Sequence, residues 1–123
     1  MPIGGAEDRR GGRRILSRFL ELSGGSQARI AVIPAASTFP DELGAIYDTI
    51  FDELGAAETH VLNVWRRADA DDADLCAPLE DATGIFLSGG DQVKLVTLLG
   101  GTRLGQLIRT RFSGGVSVAG TSA

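Results

Sequence analysis

A chain of 123 residues with 43% hydrophobic and 23% charged residues is one small globular domain, or a piece of one, large enough to bury a core. Its net charge of -4 argues mildly against nucleic acid as a partner and is compatible with a basic substrate. The single cysteine, Cys76, excludes an internal disulfide, no apolar run reaches membrane-spanning length, and Met1-Pro2-Ile3-Gly4-Gly5 is no signal peptide, so a reducing cytoplasm is the default location.

The chain opens on a turn at Gly4-Gly5-Ala6-Glu7-Asp8, and residues 9–12 read as a solvated loop. From Arg13 on, Ile15, Leu16, Phe19 and Leu20 recur at helical spacing until Gly24-Gly25 stop the helix. Arg29-Ile30-Ala31-Val32-Ile33 is apolar without alternation, which predicts a strand buried on both faces, as in a parallel sheet covered by helices. Pro34-Ala35-Ala36-Ser37 ends it. Pro40 suits the first turn of a helix whose stripe is Leu43, Ile46, Tyr47, Ile50, Phe51 and Leu54, closed by Gly55.

A second strand is expected over 59–64, a charged loop over 65–71 and a short helix over 72–81. Residues 84–88 form a third strand that runs into Gly89-Gly90-Asp91-Gln92, and helical spacing resumes with Val93, Val96, Leu98 and Leu99. Thr102 caps a further helix with Leu104, Leu107, Ile108 and Phe112 on its inner face. A last strand over 116–119 leads into Gly120-Thr121-Ser122-Ala123. Those four residues match four of the five positions of the nucleophile-elbow pattern G-x-S-x-G, and read equally as a polar loop.

Strands alternating with helices predict an α/β fold with an open, mostly parallel, flavodoxin-like sheet. With no repeat or linker in it, 1–123 reads as a single domain. In such sheets ligands sit outside the carboxyl ends of the strands, and every glycine-rich or small polar turn noted above falls at such an end. Gly5, Ser37, Gln92 and Ser122 are therefore expected on one side of the sheet. No His/Cys/Asp/Glu group has metal-ligand spacing and no phosphate-loop pattern occurs, so neither metal nor cofactor is expected.

The segments Ile3-Gly4-Gly5-Ala6-Glu7-Asp8, Pro34-Ala35-Ala36-Ser37, Phe86-Leu87-Ser88-Gly89-Gly90-Asp91-Gln92 and Gly120-Thr121-Ser122-Ala123 resemble, in order and spacing, those of the cyanophycinases. These are serine peptidases in a family that also holds alpha-aspartyl dipeptidase. The resemblance implies a core like that of class I glutamine amidotransferases, in a longer protein of which this chain is an N-terminal part truncated at both ends. It implies hydrolysis of cyanophycin, a poly-aspartate backbone with arginine side chains, to beta-Asp-Arg dipeptides. An alpha-aspartyl dipeptidase and a non-catalytic binding or remnant domain are the alternatives. The partners it implies are an Asp/Arg-containing polymer or a dipeptide, with neither nucleic acid nor membrane; a homodimer is compatible with the full-length protein.

Ser122 carries over as the nucleophile, and the resembled family places its histidine and acidic residue downstream, outside this chain. The backbone N–H of Ala123 is the natural first oxyanion donor, with a second from the Gly89-Gly90 turn, taken as Gly90. Gln92 resembles a glutamine that faces the substrate, whereas Asp91 reads as a helix cap. Glu7, on the same rim, either meets a basic substrate group or is solvated. His60, the only histidine, belongs to the start of a strand and not to the cleft, and Cys76 reads as structural.

Overall fold

Unbroken apolar runs and helical stripes alternate along the chain, and each becomes an element of its own. The computed structural model describes residues 2–3, 9–34, 40–64, 66–87 and 100–121. Their order is β1 (Pro2–Ile3), α1 (Arg9–Leu22), β2 (Arg29–Ile33), α2 (Pro40–Glu53), β3 (Glu58–Val61), α3 (Arg67–Ala70), α4 (Ala73–Glu80), β4 (Gly84–Leu87), α5 (Arg103–Ser113) and β5 (Ser117–Thr121). The helix expected at Val93, Val96, Leu98 and Leu99 lies outside the described residues.

The strands form one sheet in the order β1-β5-β4-β2-β3, and every pair is parallel. Read from its other edge, β3-β2-β4-β5 is the 2-1-3-4 order of the flavodoxin-like fold, with β1 in the fifth place. The chain reverses its direction of travel across the sheet between β2 and β4, and the ligand crevice of such sheets opens at that reversal.

Side chains alternate across the sheet with period two. Ile30, Val32, Phe86 and Ala119 face one side and pack with Leu16, Phe19 and Leu20 of α1 and Tyr47 and Phe51 of α2. Ala31, Ile33 and Ile85 face the other, against Ala70, Cys76, Leu79 and Leu104 from α3, α4 and α5. Both faces are covered, which accounts for the apolar runs without alternation. At the centre, the ring of Phe86 lies 4.6 Å from Tyr47, 5.6 Å from Phe51 and 6.1 Å from Phe19, centroid to centroid.

Several boundaries differ from the sequence reading, each for a physical reason. Residues 9–12 are the first turn of α1 rather than a loop: Gly11 and Gly12 each cost about 1 kcal/mol of propensity, but a helix anchored by Leu16, Phe19 and Leu20 propagates toward them cooperatively. β3 ends at Val61 and not at residue 64. The Leu62 N–H still donates to the Val32 carbonyl at 2.8 Å, but the next ladder bond needs an N–H at position 34, and Pro34 has none. Within 65–71, the Arg66 N–H donates to Asp69 Oδ2 at 3.1 Å and starts the single turn of α3.

In two helical stripes one residue turns outward while the others pack inward as expected. Ile46 is exposed because the buried face of α2 is centred on Gly44, Tyr47 and Phe51: a Cβ built on Gly44 would come within 2.7 Å of Val61 Cγ1, so α2 lies close against β3 there. Phe112 is 63% exposed, while Arg111 takes the inner position and its guanidinium donates to the Ala82 carbonyl. Thr102 caps α5 as expected, with Oγ1 accepting from the Gly105 N–H at 3.2 Å. Asp71 Oδ1 adds a second cap by accepting from the Arg103 N–H at 2.9 Å.

Gly84 opens β4 where nothing larger fits. A Cβ there would meet Ser23 Oγ at 2.3 Å, Ser23 Cβ at 2.8 Å and Ile30 Cδ1 at 2.9 Å. Ser23 cannot swing aside freely, since it is buried with its hydroxyl bonded to the Phe19 carbonyl at 2.9 Å. Gly84→Ala should therefore destabilise the protein by about 1–3 kcal/mol, the usual cost of overpacking, read as a lower urea midpoint at unchanged slope. An unchanged midpoint would mean that Ser23 and Ile30 do not press against Gly84.

Candidate active site

Parallel strands send all their carboxyl ends to one side, and the register brings these ends level. Ile33 of β2 pairs with Leu87 of β4, Leu87 with Gly120 of β5, and Gly120 with Pro2 of β1. One row of four residues thus runs along the rim of the sheet. With neighbouring strands about 4.8 Å apart, the segments leaving β4 and β5 start side by side, and those leaving β2 and β1 flank them.

The motif residues follow these ends in sequence. Ser122 is joined to Thr121, the last residue of β5; the segment with Gly90 and Gln92 begins directly after Leu87; Glu7 follows Ile3, the last residue of β1, in the next segment of the sequence. Glu7, Gly90, Gln92, Ser122 and Ala123 themselves lie outside the described residues, as do Gly5 and Ser37. The described fold supplies the strand ends from which they depart.

His60 occupies the third place of β3, paired with Ala31, rather than the strand's start. It is three strands from β5, roughly 14 Å across the sheet at the usual spacing, and lies below the rim row. Its Nε2 lies 3.8 Å from the Glu58 carboxylate, which also meets Arg29 Nε at 3.5 Å, and all three side chains are about half exposed. Such pairs contribute little. His60→Ala should shift stability by less than about 0.5 kcal/mol, read as an unchanged urea midpoint. A clear drop in the midpoint would mean that the Arg29–Glu58–His60 group holds β2 to β3.

Cys76 is buried, its Sγ–H donates to the Ala70 carbonyl at 3.5 Å, and desolvation raises its pKa against the opposing pull of Arg103. A thiol held protonated is no nucleophile. Burial likewise raises the pKa of Tyr47. Both groups ionise more readily in the unfolded chain, so the stability they contribute is complete below 9.0, the ordinary value for the thiol, and is lost as pH rises beyond it. Thermal melts should show the midpoint falling from about pH 9 upward, with Tyr47 adding to the slope above 10.0. A flat profile across that range would mean that neither group is buried.

One polar group at the rim escaped the sequence reading. Asn63 lies just past β3, inside a run read as strand, and its Oδ1 is buried with no hydrogen-bond partner among the described residues. No helix among the described residues is long and apolar enough to cross a membrane.

Residues 2–123 match the family model of peptidase family S51. The chain belongs to that family. This S51 chain is 47% identical over 124 residues to a cyanophycinase of Synechococcus elongatus, covering 100% of itself and 38% of that protein. A cyanophycinase of Nostoc sp. is 43% identical over 122 residues, with 98% and 41% covered. One of Geminocystis herdmanii is 46% identical, with 98% and 45% covered. The S51 chain thus spans about two-fifths of the length of these relatives. Its fold superposes on the crystal structure of a peptidase from an acI-B1 Actinobacterium with a TM-score of 0.83 at 27% identity, covering 98% of this chain and 52% of that one.

Proposed function

We propose that the chain is the nucleophile-bearing part of a single α/β peptidase domain that hydrolyses cyanophycin to beta-Asp-Arg dipeptides by a serine mechanism. The observation that carries this reading is identity of 43–47% with cyanophycinases along essentially the whole chain. The level row of strand ends supports it, because it starts the Ser122, Gly90 and Glu7 segments beside one another.

In this reading Ser122 Oγ attacks the scissile carbonyl carbon and forms an ester as the C–N bond breaks. A base carries the Oγ proton to the leaving amine, and water then releases the acyl group. The base comes from outside these residues, since His60 is the only histidine here and lies far from β5. The N–H groups of Ala123 and Gly90 hold the oxyanion; Gln92 and Glu7 hold the substrate. The 123 residues alone are then inert. A cytoplasmic location belongs to the same proposal and is supported by a lone, buried, unpaired cysteine.

Incubating the full-length protein with cyanophycin and, separately, with Asp-X dipeptides tests the proposal by mass spectrometry of the products. Release of beta-Asp-Arg supports it. Cleavage of Asp-X dipeptides alone would assign an alpha-aspartyl dipeptidase, and cleavage of neither a non-catalytic domain.

A further inference from the structure

Cover on the α3–α5 face of the sheet runs out at β5. Ala31, Ile33 and Ile85 on that face are buried, whereas Ile108 of α5, Val116 and Val118 pack against the same core and stay partly exposed. Phe112, on the last turn of α5, is 63% exposed, and its carbonyl accepts from the Gly115 N–H at 3.1 Å, which turns the chain straight into Val116. Arg111 reaches Ala82 at the foot of β4, so Phe112, about 100° further round the helix, turns off that side. Ile108 and Phe112 are spaced to share a helix face, Val116 and Val118 a strand face. A lone exposed side chain would call for no explanation, but this is apolar surface continued from helix to strand.

The connections of the sheet say what crosses that face. The steps from β1 to β2 and from β2 to β3 move toward the β3 edge and place α1 and α2 on one face. The steps from β3 to β4 and from β4 to β5 move toward β1 and place α3, α4 and α5 on the other. All four obey the right-handed rule, so a further step from β5 to a parallel strand beyond β1 crosses the α5 face again. At the opposite edge, β3 carries the exposed Glu58 and His60, which suits a final strand. This chain spans about two-fifths of its relatives' length, which leaves ample residues for a helical crossover of about a dozen or more. We propose that the residues following Ala123 in the full-length protein dock here, as a helix whose apolar face covers Phe112 and Val118 on its way to a strand beyond β1. The inference rests on the reading of the chain as part of a longer domain, and not on the substrate.

Hydroxyl-radical footprinting of the full-length wild-type protein tests the cover by mass spectrometry, without any substitution. Phe112 should be oxidised on the order of tenfold more slowly in the folded than in the urea-unfolded protein, as a side chain packed on all sides is. A difference within about twofold, in keeping with its exposure of 63%, would overturn the proposal. Photo-crosslinking from a benzophenone analogue of phenylalanine placed at position 112 identifies the cover. Crosslinks should fall within one chain, on the residues that follow Ala123. Crosslinks between two chains, or to any other segment, would overturn the assignment. Neither readout involves activity, so a failure here is distinct from a failure to cleave cyanophycin.

Discussion

Ser122→Ala in the full-length protein should abolish peptide hydrolysis, with turnover falling on the order of a million-fold, while the melting temperature stays put. Removing the nucleophile of a triad leaves only binding and oxyanion stabilisation, which explains the size of the loss. The fold should not notice, because the register of β5 with β4 runs from Ser117 to Gly120 and its pairing with β1 ends at Thr121. Gln92→Ala should cost far less and act partly through KM. Near-full turnover of a pure Ser122→Ala preparation, measured on cyanophycin, would exclude the serine mechanism.

Phe86→Ala should have the largest effect on stability, about 3–5 kcal/mol. Phe86 is completely buried, and its ring meets those of Phe19, Tyr47 and Phe51, so truncation removes one side of three aromatic contacts and leaves a cavity between α1, α2 and the sheet. Against a typical total of 5–15 kcal/mol, that is a large share. Urea titration should show the loss, with Ile46→Ala, at an exposed position of α2, as the control that changes little. Equal shifts in the two variants would mean that the aromatic cluster does not hold the sheet to its helices.

What the sequence made legible and what it did not divide along physical lines. β2 was readable to the residue because a strand buried on both faces leaves an apolar run with nothing to confuse it. The stripe of α2 was legible in Leu43, Tyr47, Ile50, Phe51 and Leu54, but the exposure of Ile46 was not, since it goes with the close approach of Gly44 to β3, and a glycine carries no hydropathy signal. Phe112 misled for a related reason: the long side chain of Arg111 covers apolar surface while its guanidinium finds a carbonyl, so a charged residue displaced an aromatic one. The early end of β3 could be seen only once the pairing put Pro34 opposite the Leu62 carbonyl. The segments of the candidate site stood out in the sequence by their small and polar residues; they lie outside the described residues, and the roles given to Ser122, Gly90, Ala123, Gln92 and Glu7 stand as proposals. Asn63 was invisible because an orphan acceptor exists only in three dimensions.

The pairing of β1 with β5 joins Pro2 to Gly120 and Ile3 to Thr121, residues from opposite ends of the described chain. Synthesis makes them in that order, at roughly 5–20 residues per second. While it proceeds, β2, β3 and β4 can pair over short sequence separations and collect their helices. β1 has no partner until β5 leaves the ribosome. Of the five described strands, the one that precedes Ser122 is therefore the last to join the sheet, and it carries β1 into place with it. A nascent chain caught earlier lacks the level row of strand ends, so the crevice side of the sheet takes shape only after its faces have been covered.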